Sequence, residues 1–286
     1  MANLKTLDKK LTDLFIKNAI AEDVGDGDHT SLSTIAQGTQ GKAKLIVKEE
    51  GILAGVELAL EIFNQIDNTL KVEVKLHDGE EIKPGDIAFT VSGSTHSILL
   101  AERLVLNCMQ RMSGIATQTN RIVKRLEGYK TKVLDTRKTT PGLRYLEKWA
   151  VRIGGGVNHR IGLYDMILIK DNHVDYAGGI KNAITQANDY LKRTGKKLQI
   201  EIEVRNLEEL QQVLAIGAVD RIMLDNFEPA LLKQAIAMID GRFLTEASGG
   251  IVEDNVAEYA ACGVDFISMG ALTHSVKSLD LSLKAF

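Results

Sequence analysis

Between residues 131 and 173 the sequence reads TKVLDTRKTTPGLRYLEKWAVRIGGGVNHRIGLYDMILIKDNH. Arg137, Lys138, Arg144, Arg152, His159, Arg160 and Lys170 all fall in it, most of them directly after an apolar run or in a glycine-rich loop. A solvated helix face does not carry its charge in that way. The pattern suits a pocket for a strongly anionic ligand. A guanidinium matches a carboxylate or phosphate with two parallel hydrogen bonds. Lys170 closes the apolar run Met166–Ile169, so its stem packs and its ammonium is aimed. Gly154-Gly155-Gly156 lets Asn158, His159 and Arg160 approach a ligand closely. A small planar diacid would suit such a set. For His159, a purely structural hydrogen-bonding role stays open.

Two further kinds of chemistry lie downstream. Ser248-Gly249-Gly250 offers consecutive main-chain N–H groups and a hydroxyl, with a helix expected to start near Ile251. Gly270-Ala271 offers the same close approach, and His274 follows where it can touch this loop. Together they predict a phosphate site; turns without a ligand are the plainer alternative. Glu203 and Asp225 end successive apolar runs. Carboxylates beside phosphates imply a bridging Mg²⁺ or hydrogen bonds to sugar hydroxyls; for Asp225, a cap on the next helix stays open. Glu201 shares the face of Glu203 at another depth, by the strand period.

These residues need a scaffold. Apolar runs near Val133, Ile167, Ile200, Met223, Phe243 and Phe266 alternate with helical patterns at 143–150, 179–192, 206–216, 228–239 and 252–261. Such alternation predicts a parallel sheet with right-handed crossovers, closed or nearly closed into a barrel. A flavodoxin-like sheet is the runner-up. Both place ligands at the carboxyl ends of the strands, where most of the polar residues above fall. The first part of the chain reads differently. It has a helix over 4–20 with a stripe from Leu4 and Leu7 to Leu11, Leu14 and Ile20. Strands follow at 42–50, 70–76 and 87–91, with a helix over 51–66. A long helical stretch over 97–126 carries a break or close packing point at Ser113-Gly114. Thr140 and Pro141 fit the start of the helix that follows Lys138. We read 1–113 as a smaller α/β domain with its connecting helix and 114–286 as the barrel domain. A return of the chain's end to the first domain stays open.

The 286 residues carry 35 basic and 38 acidic side chains, a net charge of -3, so neither nucleic acid nor an anionic membrane is an expected partner. Asp23, Asp26 and Asp28 lack the spacing of a calcium loop. No apolar run reaches transmembrane length, and the start MANLKTLDKK is too polar for a signal peptide. Cys108 and Cys262 sit among apolar residues, as buried thiols do in a reducing compartment. A cytoplasmic protein is the expectation.

The segments EDVGDGDHT (22–30), ERLVLNCMQRMSGIAT (102–117), DTRKTTPGLR (135–144), GGGVNHRIGLYD (154–165), KDNH (170–173), EIEV (201–204), LDNF (224–227), EASGGI (246–251) and GVDFISMGALTHS (263–275) closely resemble the quinolinate phosphoribosyltransferase family. The resemblance covers nearly the whole chain. It implies an incomplete, open α/β barrel of about six parallel strands with a smaller α/β amino-terminal domain. It also implies a homodimer in which the small domain of one subunit covers the barrel mouth of the other. Arg103 matches the arginine contributed across that boundary, with Arg111 on the same helix as competitor. Arg137, Lys138, His159, Arg160 and Lys170 match the quinolinate-binding residues. Glu203 and Asp225 match the acids near ribose and Mg²⁺, in contact with the metal directly or through water. Ser248, Gly249, Gly250, Gly270 and Ala271 match positions around the 5-phosphate. Lys138, Lys170, Glu203 and Asp225 are the expected catalytic groups. The implied reaction is phosphoribosyl transfer to quinolinate with decarboxylation, in NAD synthesis. The alternatives are a nicotinate-type transferase without decarboxylation, an aldolase using Lys170 as a Schiff base, and a non-catalytic sensor.

Overall fold

The computed structural model describes residues 8–286. In chain order the first elements are α1 (Lys9–Val24), α2 (His29–Thr34), β1 (Gln40–Val47), β2 (Gly51–Ile52), α3 (Val56–Ile66), β3 (Lys71–Val74), β4 (Glu81–Ile82), β5 (Ile87–Ser94) and α4 (Thr95–Arg125). Then come β6 (Lys132–Leu134), α5 (Arg144–Ile153), β7 (Ile167–Ile169), α6 (Asp171–Ala177), α7 (Ile180–Thr194), β8 (Ile200–Val204) and α8 (Leu207–Ile216). The last are β9 (Arg221–Asp225), α9 (Pro229–Ile239), β10 (Leu244–Ser248), α10 (Val256–Ala260), β11 (Phe266–Ser268), α11 (Ala271–His274) and β12 (Leu281–Ala285).

The chain packs as two units that interleave along the sequence. One contains Arg121–Thr139 and Gly156–His274; the other contains the described part of Leu4–Asn120, Thr140–Gly155 and Ser275–Phe286. A cut at 113/114 falls inside α4, which is continuous from Thr95 to Arg125.

The larger sheet belongs to the first unit. Its order is β6-β11-β10-β9-β8-β7, all parallel. From β7 to β11 each strand lies beside the next in sequence, so the order never reverses as it does in a doubly wound sheet. Right-handed crossovers then keep their helices on one face, and a sheet covered on one side only curls on itself. Among the described residues β6 and β7 do not pair, so the curl stays open, as expected. Buried Ile202, Val204, Ile222, Leu224, Leu134 and Ile267 form its core. All five residues of β8 are buried, as in a strand enclosed on both faces.

In the second unit the sheet order is β12-β1-β5-β3, antiparallel throughout. Ala43, Leu45 and Val47 of β1 alternate inward. The chain's end returns here: β12 pairs with β1 from Ala43↔Ala285 to Val47↔Leu281.

Several local expectations change. The helix read over 51–66 begins only at Val56, because Gly51-Ile52 pairs with β4 and Gly55 adopts φ +97° before the helix. Ser113-Gly114 does not break α4; a Cβ on Gly114 would stand 2.3 Å from the Lys277 carbonyl oxygen, so the glycine serves close packing. Thr140-Pro141 does not start α5. Residues 141–143 turn first, and the Thr140 N–H donates to Glu147 Oε2 at 3.1 Å. Helix α6 was not anticipated. In the amino-terminal helix, Leu4 and Leu7 lie outside the described residues; Asp8 caps it through the Leu11 N–H, and Leu11 and Leu14 are exposed. Asp28, in the acidic turn, caps α2 through the Ser31 N–H. Both cysteines are free and buried, and burial pushes the Cys108 thiol up to about 12. No helix among the described residues is long and apolar enough to cross a membrane.

Candidate active site

Period-two alternation puts Glu201 and Glu203 of β8, Arg221, Met223 and Asp225 of β9, and Glu246 and Ser248 of β10 on one face of the parallel sheet. That face forms the wall of a cavity of about 720 Å³ at the carboxyl ends of the strands. Its lining includes Arg137, Lys138, His159, Arg160 and Lys170 on the cationic side. Arg137 and Lys138 would have pointed to opposite sides had β6 continued. The strand ends at Leu134, and both residues line the cavity. Arg160 lies on a loop clamped by carboxylates. Asp135 accepts from the His159 N–H at 2.9 Å and from the Asn158 amide at 2.6 Å. Asp165 accepts from the N–H groups of Ile161 and Gly162 at 2.8 and 2.9 Å. Burial, helped by the like charge of Arg137, pulls the Arg160 pKa below its ordinary value. Lys170 is held at both ends: its N–H donates to His173 Nδ1 at 3.0 Å at the start of α6, and its Nζ meets Glu203 Oε2 at 2.9 Å.

Another part of the cavity lining is glycine-rich. Gly249 and Gly250 have φ of +88° and +64°, and a Cβ on Gly249 would stand 2.1 Å from Asn226 Oδ1. A Cβ on Gly270 would stand 2.9 Å from His274 Nε2. Ser248, Gly249, Gly250, Gly270, Ala271 and His274 all line the cavity. The helix expected at Ile251 does not exist; α10 starts at Val256 and has five residues. At Gly249-Gly250 an anion would therefore meet loop N–H groups rather than a helix end. Asp225 does not cap α9, whose N-cap is Glu228. Instead it accepts from the Ser248 hydroxyl and, at 2.6 Å, from the Asn226 amide, and it faces the cavity.

Beneath lies a buried polar layer. Glu201, Arg221 and Glu246 are 0–2% exposed. Arg221 Nη1 lies 2.8 Å from Glu246 Oε2 and 4.0 Å from Glu201 Oε2, and its guanidinium stands 4.4 Å from the Phe266 ring centroid. Burial raises both carboxyl pKa values. Glu246 is pushed up to about 7, by burial first and then by the charge of Glu201.

Of the cations in the opening stretch, Arg144 and Arg152 do not line this cavity; they sit on α5, in the other packing unit. Arg103 and Arg111 also belong to that unit. Arg111 donates from Nε and Nη2 to Glu147 Oε1 at 2.9 and 2.7 Å, whereas Arg103 is exposed. Sequence reasoning missed Asn226 and Arg221. Asn226 adopts φ +57°, a conformation that asparagine tolerates, and the LDNF segment was the available signal. Arg221 opens an ordinary apolar strand, and nothing in its spacing marks it as an internal counter-charge.

A family model described as "Quinolinate phosphoribosyl transferase, C-terminal domain" matches residues 115–284, and its N-terminal counterpart matches 28–113. The "Nicotinate-nucleotide pyrophosphorylase [carboxylating], chloroplastic" of Arabidopsis thaliana is 48% identical, over 94% of this chain and 81% of its own. The "Probable nicotinate-nucleotide pyrophosphorylase [carboxylating]" of Bacillus subtilis is 43% identical, over 92% and 89%. The solved nicotinate-nucleotide pyrophosphorylase of Francisella tularensis superposes with a TM-score of 0.93 at 40% identity, covering 100% of both chains. The chain belongs to the quinolinate phosphoribosyltransferase family.

Proposed function

We propose that this chain transfers the phosphoribosyl group of 5-phosphoribosyl 1-diphosphate to quinolinate and releases diphosphate and CO₂, giving nicotinate mononucleotide for NAD synthesis. The observation that carries the reading is the meeting, in one cavity, of Arg137, Lys138, Arg160 and Lys170 with the Gly249-Gly250 and Gly270-Ala271 loops. Four cations suit the two carboxylates of the pyridine and the departing diphosphate. The loops suit the 5-phosphate, with the Ser248 hydroxyl beside them.

The pyridine nitrogen attacks C1 of the ribose as the C1–O bond to diphosphate breaks. Glu203 and Asp225 stabilise the positive charge that develops on the sugar. The ring nitrogen, now quaternary, accepts the electron pair left at C2 when the 2-carboxylate departs as CO₂, and a proton takes its place. Catalysis then comes mainly from positioning and electrostatics.

Mg²⁺ fits this donor set. Glu203 and Asp225 offer hard oxygens to the cavity, but among the described residues they form no all-protein cage. That suits an ion bound through one or two carboxylates, water and substrate phosphates. When bound, Mg²⁺ neutralises the leaving diphosphate. Lys170 is a poor candidate for Schiff-base chemistry, since its Nζ is engaged by Glu203 and needs a free lone pair to attack.

The working unit is a homodimer, with Arg103 completing the partner's site. Its exposure supports this, as does the engagement of Arg111 by Glu147. Buried free thiols support a reducing compartment such as the cytoplasm. The decisive assay supplies quinolinate, 5-phosphoribosyl 1-diphosphate and Mg²⁺ and follows CO₂ together with the nucleotide. Equal turnover of nicotinate without CO₂ would select the non-decarboxylating alternative.

A further inference from the structure

Asn255 stands at the N-cap of α10, where an asparagine side chain ordinarily accepts an N–H from the first turn of its helix. Here it makes no such bond. The side chain turns back along the sequence instead. Its Oδ1 accepts the Val252 N–H at 2.8 Å, and its Nδ2 donates to the Gly250 carbonyl oxygen at the longer distance of 3.4 Å. The main chain adds a reciprocal bond, with the Asn255 N–H donating to the Val252 carbonyl oxygen at 3.3 Å. One residue thus holds Val252 by both of its main-chain groups and reaches on to Gly250.

The segment held in this way is the far end of the glycine-rich loop. Gly249, Gly250, Ile251 and Val252 line the cavity, whereas Asn255 is not among the lining residues. Among the described residues none accepts the N–H of Gly249, Gly250 or Ile251. The next N–H, that of Val252, is the one Asn255 takes. Its carboxamide therefore closes a run of three main-chain donors that face no protein partner. No helix begins until Val256, and an irregular segment of this kind depends on side chains to fix its main chain.

The other ties on the loop are weaker. Glu253 Oε1 meets Arg125 Nε at 3.2 Å, Glu253 Oε2 meets Arg121 Nη2 at 3.7 Å, and Asp254 Oδ1 meets Arg125 Nη2 at 3.9 Å. Both arginine side chains are about half exposed or more, a setting in which ion pairs contribute little. They fasten the outer side of the turn to the end of α4. The cavity side is left to Asn255.

We propose that Asn255 is a positioning residue for the diphosphate sugar: its carboxamide clamps Gly250 and Val252 and so holds the N–H groups of Gly249, Gly250 and Ile251 in place for the 5-phosphate. It acts through the main chain of the loop rather than on the substrate. The proposal rests on reading the glycine-rich loops as the 5-phosphate site.

The kinetic test compares N255A, N255S and E253Q with the parent. Alanine leaves the Val252 N–H and the Gly250 carbonyl without their partner, and the KM for 5-phosphoribosyl 1-diphosphate should rise about tenfold. The KM for quinolinate should not move, and kcat should stay within about threefold, the pattern of a lost contact that serves ground state and transition state alike. A serine hydroxyl can take the Val252 N–H more weakly, so N255S should fall between alanine and the parent. E253Q should stay within about twofold of the parental KM. An unchanged KM in N255A, an equal rise in both KM values, or an equal rise in E253Q overturns the proposal.

A second test needs no variant and decides the matter should N255A not fold. Amide exchange in the parent protein should be at least about tenfold slower at Val252 than at Gly249 and Gly250, relative to their intrinsic rates. Ribose 5-phosphate, as the probe, should slow the two glycines and leave Val252 as it was. Equal protection of all three before the probe is added overturns the clamp. A parent that makes no nucleotide, and whose loop amides ignore ribose 5-phosphate, sinks the reading of the cavity together with the proposal. Normal turnover with a parental KM in N255A sinks the proposal alone.

Discussion

Lys170 Nζ and Glu203 Oε2 face each other at 2.9 Å across the ends of β7 and β8, the ammonium about half exposed and the carboxylate nearly buried. The pair joins the cationic and acidic sides of the cavity. An anion arriving at Lys170 must compete with Glu203, and a sugar cation forming near Glu203 competes with Lys170. In K170M, kcat/KM should fall by roughly a hundredfold or more, the scale of losing a charged group at the reacting centre. The melting temperature should stay close to that of the parent, because a half-exposed ion pair adds little stability. Steady-state kinetics and a thermal melt on one preparation check both halves. An unfolded variant would return Lys170 to a structural role.

The two glycines of the phosphate loop should respond differently. G249A sets a methyl 2.1 Å from Asn226 Oδ1 and strains a residue at φ +88°. G250A meets nothing within 4 Å and pays only the cost of φ +64°, about 1 kcal/mol. The KM for 5-phosphoribosyl 1-diphosphate should rise at least about tenfold in G249A and much less in G250A. Titration with the diphosphate sugar at fixed quinolinate measures it.

Arg111 and Arg103 separate stability from catalysis. R111A leaves buried Glu147 without its guanidinium and should destabilise the protein by about 3 kcal/mol. R103A should melt like the parent yet be inactive. Mixing R103A with K138A chains should then restore part of the activity, since a hybrid dimer contains one site with both residues. Absence of recovery after proven subunit exchange would remove Arg103 from the partner's site.

Glu246 makes stability depend on pH. Its ordinary value is 4.5 and its folded value about 7, so between the two the folded protein binds more protons than the unfolded chain. Stability from this group is full below about pH 4.5 and is lost as the pH rises to about 7, on the order of 3 kcal/mol in all. E246Q removes the titrating group. Denaturant unfolding at pH 5 and pH 8 should show a smaller difference between the two pH values for E246Q than for the parent. Equal differences would mean that Glu246 is ionised throughout.

The sequence made the strand ends legible because a parallel sheet places its chemistry there. The cations after β6 and β7, the acids of β8 and β9 and the glycines after β10 and β11 needed only the strand period to reach one cavity. Local starts and stops were harder. Gly51-Ile52 was read as helix because strand pairing with Glu81-Ile82, some 30 residues away, leaves no periodic trace. The missing helix at Ile251 shows that a glycine loop after a strand does not oblige a helix at once. The buried layer was the least legible, since Glu201, Arg221 and Glu246 look like ordinary strand charges until a fold removes their water.

The pairing of β1 with β12 joins positions some 240 residues apart, such as Ala43 and Ala285. During translation β1 therefore emerges long before its outer neighbour has been made. Until then it is an open edge, able to recruit any extended stretch of polypeptide. Nascent chains, and products shortened by the final few residues, would be the forms most in need of a chaperone.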